Sequence, residues 1–282
     1  MPAPSSSSVQ HARKALGARL RELREDARMT GRQFAALCGW SGAKVSRIES
    51  ARTSPSPDDL RVWASVCGVP EQSADLIASL RNVTDMFTEW RRMERAGLKQ
   101  AQQAQLPLFE RTRRFKSYSS WLVPGMIQTE AYTRAVLRAV QKRRGLVDDV
   151  EAAVRTRMER QHILQDGGKV FAFLIEEAVL RSCLGNTDVM VGQLGSLITV
   201  SSLPNVSLGI VPMGVNRMRM PTEGFWIYDD HQVNVELVSG YLTITQQYEI
   251  ELYAQAFAEF AESAEYGAAA RARITAAINS FG

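Results

Sequence analysis

Residues 41–50 read SGAKVSRIES, and their spacing sets out a division of labour. In a helix, positions three apart share a face, so Val45 and Ile48 form an inward stripe while Lys44 and Arg47 point elsewhere. Two cations held on a rigid outer face are suited to a polyanion. The neighbourhood has the same sign. From Arg13 to Arg52 ten lysines and arginines stand against four acidic residues, a local balance of +6 in a chain whose net charge is +4. A basic module joined to a slightly acidic remainder implies a polyanionic partner for the module alone.

Other chemistries find little support. Cys38, Cys67 and Cys183 are far apart in sequence. With His11, His162 and His231 they make no metal-ligand spacing, so no metal and no cofactor is expected. The glycine-rich phosphate loops, H-E-x-x-H and G-x-S-x-G are absent. Glu176 and Glu177 fall together at a strand end, but neighbouring residues point to opposite sides. One is expected as a helix cap and the other in solvent. The reading is therefore not an enzyme. Sparse cysteines, no apolar leader in MPAPSSSSVQHARK and no long apolar run suggest a cytoplasmic chain with no membrane span.

The segments on either side of residues 41–50 carry the signals of the elements that position them. ALGARLRELREDAR places Leu16, Leu20 and Leu23 at helical spacing. MTGRQFAALCGW starts with Thr30 as N-cap and Gln33 three residues later, a capping box. Phe34, Leu37 and Cys38 are expected on its apolar face, and Gly39 as the left-handed stop. Ser41 caps the next helix. SPSPDDLRVWASVCG adds a helix capped by Ser56, with Pro57 at its first position and Leu60, Trp63, Ala64 and Cys67 inward. Two helices joined by the turn Gly39-Trp40-Ser41, the second basic outside, make a helix-turn-helix that lays its second helix in a major groove. The candidate DNA contacts are Thr30, Arg32 and Gln33 from the first helix, Ser41, Ala43, Lys44, Ser46 and Arg47 from the second, and Arg52 beyond it. Arg28 is a weaker phosphate candidate. One such module buries little DNA surface, so a homodimer on two half-sites of double-stranded DNA is expected.

The whole chain reads as mainly α with a small sheet (α+β). Residues 1–13 are expected as a disordered tail, 14–70 as the helix-turn-helix domain and 71–105 as a linker helix. In the linker, Leu76, Leu80, Val83, Phe87 and Trp90 step by fours and threes, as in a short dimer seam or a helix packed on its own chain. Residues 106–282 are expected as an α+β domain with about four strands. Val170–Ile175 and Val206–Val211 form a parallel crossover pair, and GFWIYDDHQVNVELVSGYLTIT a hairpin turning near Asp229-Asp230 or His231. RTRRFKSYSSWLVPGMIQTEAYTRAVLRAV reads as two helices around Pro124-Gly125. The loop VPMGVNRMRMPTEGF, with Met213, Met218 and Met220 beside Arg217 and Arg219, is either an adaptable docking surface or a cover over the core.

TGRQFAALCGWSGAKVSRIESARTSPSPDDLRVWASVCGV resembles the Xre-type (Cro/repressor-like) helix-turn-helix. That family often carries a glutamine where this chain has Gly31 followed by Arg32, which moves the expected phosphate contact to Arg32. The resemblance also implies an internal ion pair between Glu49 and Arg24. WLVPGMIQTEAYTRAVL, VRTRMERQHIL, IEEAVLRSCLG, LPNVSLGIVPM and VELVSG resemble the large C-terminal domain of Scr1-type antitoxin-like regulators. This implies a DNA-binding transcriptional regulator whose second domain binds a small companion protein. The alternative is a one-component regulator whose second domain senses a small molecule.

Overall fold

The computed structural model describes residues 7–85 and 87–281 and divides into two compact units, residues 1–88 and 89–282. Residues 1–6 of the expected tail lie outside the described residues, and the first helix already begins at Ser7.

The first unit is helical: α1 (Ser7–Asp26), α2 (Gly31–Cys38), α3 (Gly42–Glu49), α4 (Pro57–Val66) and α5 (Ser73–Asp85). Leu16, Leu20 and Leu23 of α1 meet Phe34, Val45, Ile48, Leu60 and Trp63 in one buried cluster. Trp63 packs its ring 4.4 Å from Phe34 and donates its indole N–H to Leu20 O at 3.0 Å, which satisfies the one polar atom it buries. Leu37 departs from the sequence reading. It is 66% exposed, because α2 turns only Phe34 and Ala35 fully inward. Leu76 and Leu80 are buried in this same core, with Ile77 between them. The side chains of Val83 and Phe87 lie outside the described residues. The expected seam does not run on as one helix to Trp90: α5 ends at Asp85, and Phe87–Glu89 is a short strand, β1. Residues 71–105 are accordingly several short pieces, not one linker helix.

The second unit continues through α6 (Trp90–Met93), α7 (Leu98–Gln103), α8 (Leu106–Arg111) and strand β2 (Arg114–Ser119). Helices α9 (Glu130–Arg144) and α10 (Val150–Arg160) lead to β3 (Val170–Glu176) and α11 (Glu177–Arg181). Then come α12 (Thr187–Val200), β4 (Val206–Val211), β5 (Phe225–Tyr228), β6 (Gln232–Glu236), β7 (Gly240–Ile244), α13 (Gln247–Glu262) and α14 (Gly267–Asn279). Strands β2–β7 are hydrogen-bonded in the order β7-β6-β5-β2-β3-β4. β2, β3 and β4 run parallel, with Phe115 beside Phe171 and Phe171 beside Val206, so the expected crossover pair is present. β5, β6 and β7 add antiparallel neighbours. The fold is α+β, but with more strands than the four expected. The segment read as a helix at 114–119 is the strand β2 in mid-sheet. Only its second half is covered on both faces, so the alternation that marks a half-exposed strand stops after Arg114 and Lys116. The β5–β6 hairpin turns at Asp229 and Asp230, whose φ angles of 52° and 58° are both left-handed, as a tight primed turn requires. Gly209 of β4 lets the chain pass close to Tyr266: a Cβ there would sit 2.7 Å from the ring.

Candidate nucleic-acid interface

The turn between α2 and α3 is built from local hydrogen bonds. Gln33 N donates to Thr30 Oγ1 at 3.3 Å, and Thr30 N donates to Gln33 Oε1 at 2.8 Å, closing the capping box. At the other end Gly39 adopts φ +67°, and Trp40 N donates to Ala35 O at 2.8 Å. Lys44 N donates to Ser41 Oγ at 3.2 Å, which starts α3. Val45 and Ile48 are each 1% exposed and anchor α3 in the core. Gly17 of α1 completes the seat. A Cβ there would lie 2.5 Å from Glu49 O, so α1 can cross the end of α3 only with glycine at that point. The sequence signal was a glycine inside a helical pattern, which costs about 1 kcal/mol against alanine unless packing needs it.

Bidentate contacts join Arg24 to Glu49: Nε donates to Oε1 at 2.6 Å and Nη2 to Oε2 at 3.0 Å, while Nη1 donates to Met29 O at 2.7 Å. The hydrogen bond to Glu49 holds the Arg24 guanidinium above its usual range despite partial burial. A carboxylate at the C-terminal end of α3 is thereby neutralised internally, where a bare anion would repel phosphate.

The candidate contacts are not equivalent. Arg32, Ser41, Ala43, Ser46, Arg47 and Arg52 are exposed, and Arg28, Arg32, Arg47 and Arg52 have no ion pair among the described residues. Ser46 is open to solvent, as a contact residue must be. Lys44 corrects the reading of a free cationic pair. Its Nζ lies 2.5 Å from Asp59 Oδ1 and 3.9 Å from the centroid of the Trp40 ring. Burial alone would push the Asp59 carboxyl up, but hydrogen bonds from Lys44 and Ser56 outweigh it and leave it below the ordinary range. Sequence reasoning missed Asp59 because its role in capping α4 already accounted for it. Thr30 and Gln33 are exposed but bonded to each other, leaving the Gln33 Nε2 amine without a partner among the described residues. Burial pushes the Cys38 thiol up and that of Cys67 to about 11, so neither is a thiolate at neutral pH.

In the second unit the paired acids differ from expectation: both are buried and both are bonded. Glu176 accepts from Tyr118 Oη at 2.8 Å and Arg217 Nη1 at 2.7 Å. Glu177 accepts from Arg181 at 3.1 Å, Arg273 at 2.9 Å and the backbone N of Met213 at 3.2 Å. The methionine loop is tied down by these contacts and by Arg219 to Glu259 at 2.5 Å, while Met213, Met218 and Met220 stay exposed.

Comparison with known proteins follows this division. Residues 15–77 match a family model described as a helix-turn-helix domain (HTH_31), and residues 108–276 match one described as a domain of unknown function, DUF5753. No curated protein is significantly similar to the chain. A solved structure described as TrmBL2, an archaeal chromatin protein with a novel mode of DNA binding, aligns over 89% of this chain and 100% of its own. Its identity is 12% and its TM-score 0.34, too low to bear on fold or function.

Proposed function

The chain belongs to the DUF5753 family, and from its additional helix-turn-helix domain we propose that it is a sequence-specific DNA-binding transcriptional regulator acting in the cytoplasm as a homodimer. The observation that carries this reading is the exposed Arg47, without an ion pair among the described residues, on a helix whose aliphatic side is locked in the core and whose one carboxylate is taken up by Arg24. Arg47 and Ser46 lie toward the bases; Arg32 and Arg52 hold phosphates and fix the register. Lys44 is a secondary contact, because Asp59 already offsets its charge.

Selection of bound duplexes from a random pool by the full chain tests this. The reading expects an enriched motif of two half-sites about one helical turn apart, and loss of its recovery by Arg47→Ala. No enriched motif, or an enriched motif bound equally by Arg47→Ala, overturns it.

The finer Xre-type and Scr1-type, antitoxin-like reading, with a small companion protein on the second unit, has one supporting observation: the three exposed methionines on a loop tethered through Arg217 and Arg219. Purification from native cells is its test. Recovery of a small protein lost on Met218→Ser/Met220→Ser supports it, and its absence favours a small-molecule signal.

A further inference from the structure

Helix α10 carries Arg157 and Arg160 on the same side as its buried Val150, Ala153 and Val154. Arg160 is only 4% exposed. Arg157 Nε donates to Gln102 Oε1 at 3.0 Å and its Nη1 to Gln128 Oε1 at 2.9 Å; Arg160 Nη1 donates to Gln105 Oε1 at 3.1 Å. All three partners are neutral amides. Among the described residues no carboxylate lies within ion-pair distance of either guanidinium, and Arg160 Nε has no partner at all. Burial drags both guanidinium pKa values down, that of Arg157 to about 10. Arg157 is half-buried and Arg160 buried, and Glu236, which lines the same cleft, attracts both from beyond ion-pair distance; two neighbouring cations with no carboxylate in contact are a cost that a fold does not need for packing.

The guanidiniums face a cleft of about 150 Å³ that opens to solvent, wholly within the second unit. That is roughly the volume that accepts a benzene ring. Its walls mix aromatic rings with aliphatic side chains such as Leu122, Val136 and Val140. Trp226 and Tyr228 stand on one face of β5 with ring planes 9° apart and centroids at 6.0 Å, and Phe109, Trp121 and Tyr241 add further rings. Arg160 lies 4.4 Å over Phe109. Four arginines line the cleft against two glutamates: Glu94 is paired with Arg144, while Glu236, open to solvent at the cleft's edge, is drawn to Arg157, Arg144 and Arg160 without ion-pair contact.

We infer that this cleft binds a small aromatic carboxylate, its ring among the aromatic walls and its carboxylate on Arg157 and Arg160. A flat ring suits parallel ring faces. A two-oxygen monoanion suits the few donors left after the glutamines have taken theirs, and a guanidinium recognises it in plane. The inference rests on the regulator reading only for its purpose, which would be that of an effector site.

The test is saturation-transfer NMR and tryptophan fluorescence on the full chain without DNA, at fixed ionic strength, with sodium benzoate as probe and benzamide and acetate as controls. The site predicts saturable benzoate binding with a dissociation constant on the order of 1 mM or tighter, typical for so small a ligand. Benzamide lacks the charge and acetate the ring, so each binds at least tenfold more weakly. Arg160→Gln and Trp226→Leu each weaken benzoate at least tenfold; two variants are used so that a folding defect in one does not decide the matter. No saturable binding, equal binding of benzamide, or unchanged affinity in a folded variant overturns the inference and leaves the arginines as clips for the glutamines. Because DNA takes no part, failure here leaves the DNA-binding reading standing, and failure of DNA selection leaves this one standing.

Discussion

Arginine is buried in two different ways in this protein. In the first unit Arg24 meets both oxygens of Glu49, a backbone carbonyl and, more loosely at 3.5 Å, Glu25 Oε1. In the second, Arg157 and Arg160 meet only glutamine amides. Where the cation serves to seat one helix on another, the fold supplies a carboxylate. Where Arg157 and Arg160 border the cleft, no carboxylate is in contact, although Arg144 on the same cleft is paired with Glu94. The contrast separates a structural charge from one whose partner comes from outside, and removing one group from each side measures it.

The largest effect is expected on the matched pair. Glu49→Ala leaves the buried Arg24 with only the loose, exposed Glu25 carboxylate and should destabilise the first unit by about 3 kcal/mol, read as a lower denaturant midpoint. A change under about 0.5 kcal/mol would erase the contrast. Next comes the interface built on that pair: Arg47→Ala should weaken binding to the selected duplex about tenfold or more, with no change in unfolding. The unmatched side should move the other way. Arg160→Met removes an uncompensated buried charge and should stabilise the ligand-free second unit by about 1 kcal/mol, raising its melting midpoint by a few degrees. A marked loss of stability would mean that the glutamine contacts hold the fold.

The smallest effects concern Lys44. Asp59→Asn keeps a capping group on α4 but frees the ammonium. It should tighten DNA binding by about two- to threefold, the scale of one partly exposed pair. The same pair has a pH signature. The folded Asp59 carboxyl titrates below its unfolded value, so its contribution to stability is complete above the unfolded value and fades as pH falls through the lower folded one. Lys44→Met should flatten that acid limb by lowering stability at neutral pH, by up to about 1 kcal/mol, while leaving stability at acid pH nearly unchanged.

How much of this was legible in the sequence follows from the range of the forces involved. The α2–turn–α3 unit was legible because its signals are local: Thr30 and Gln33, Gly39 and Ser41 each act within one helical turn. The β5–β6 turn was legible for the same reason. Lys44 was misread as free because its partner Asp59 is fifteen residues on, across a helix boundary. β2 was misread as a helix because Phe115 and Tyr118, spaced by three among cations, mimic a helical face, whereas its neighbours β3 and β5 come from residues far along the chain. Arg157 and Arg160 left a trace that went unused: cations spaced by three, continuing the apolar stripe of Val150, Ala153 and Val154. The cleft itself left none, since its walls come from α8, α9, α10, β5, β6 and β7.

The most direct test of the regulator reading is the salt dependence of binding to the selected duplex, measured by fluorescence anisotropy for the wild-type chain and for Arg32→Ala/Arg47→Ala. If α3 lies in a groove with Arg32 on phosphate, the logarithm of affinity falls linearly with that of salt concentration, and the double variant loses both affinity and roughly one unit of slope per lost phosphate contact. Identical slopes and affinities for the two proteins would contradict the account.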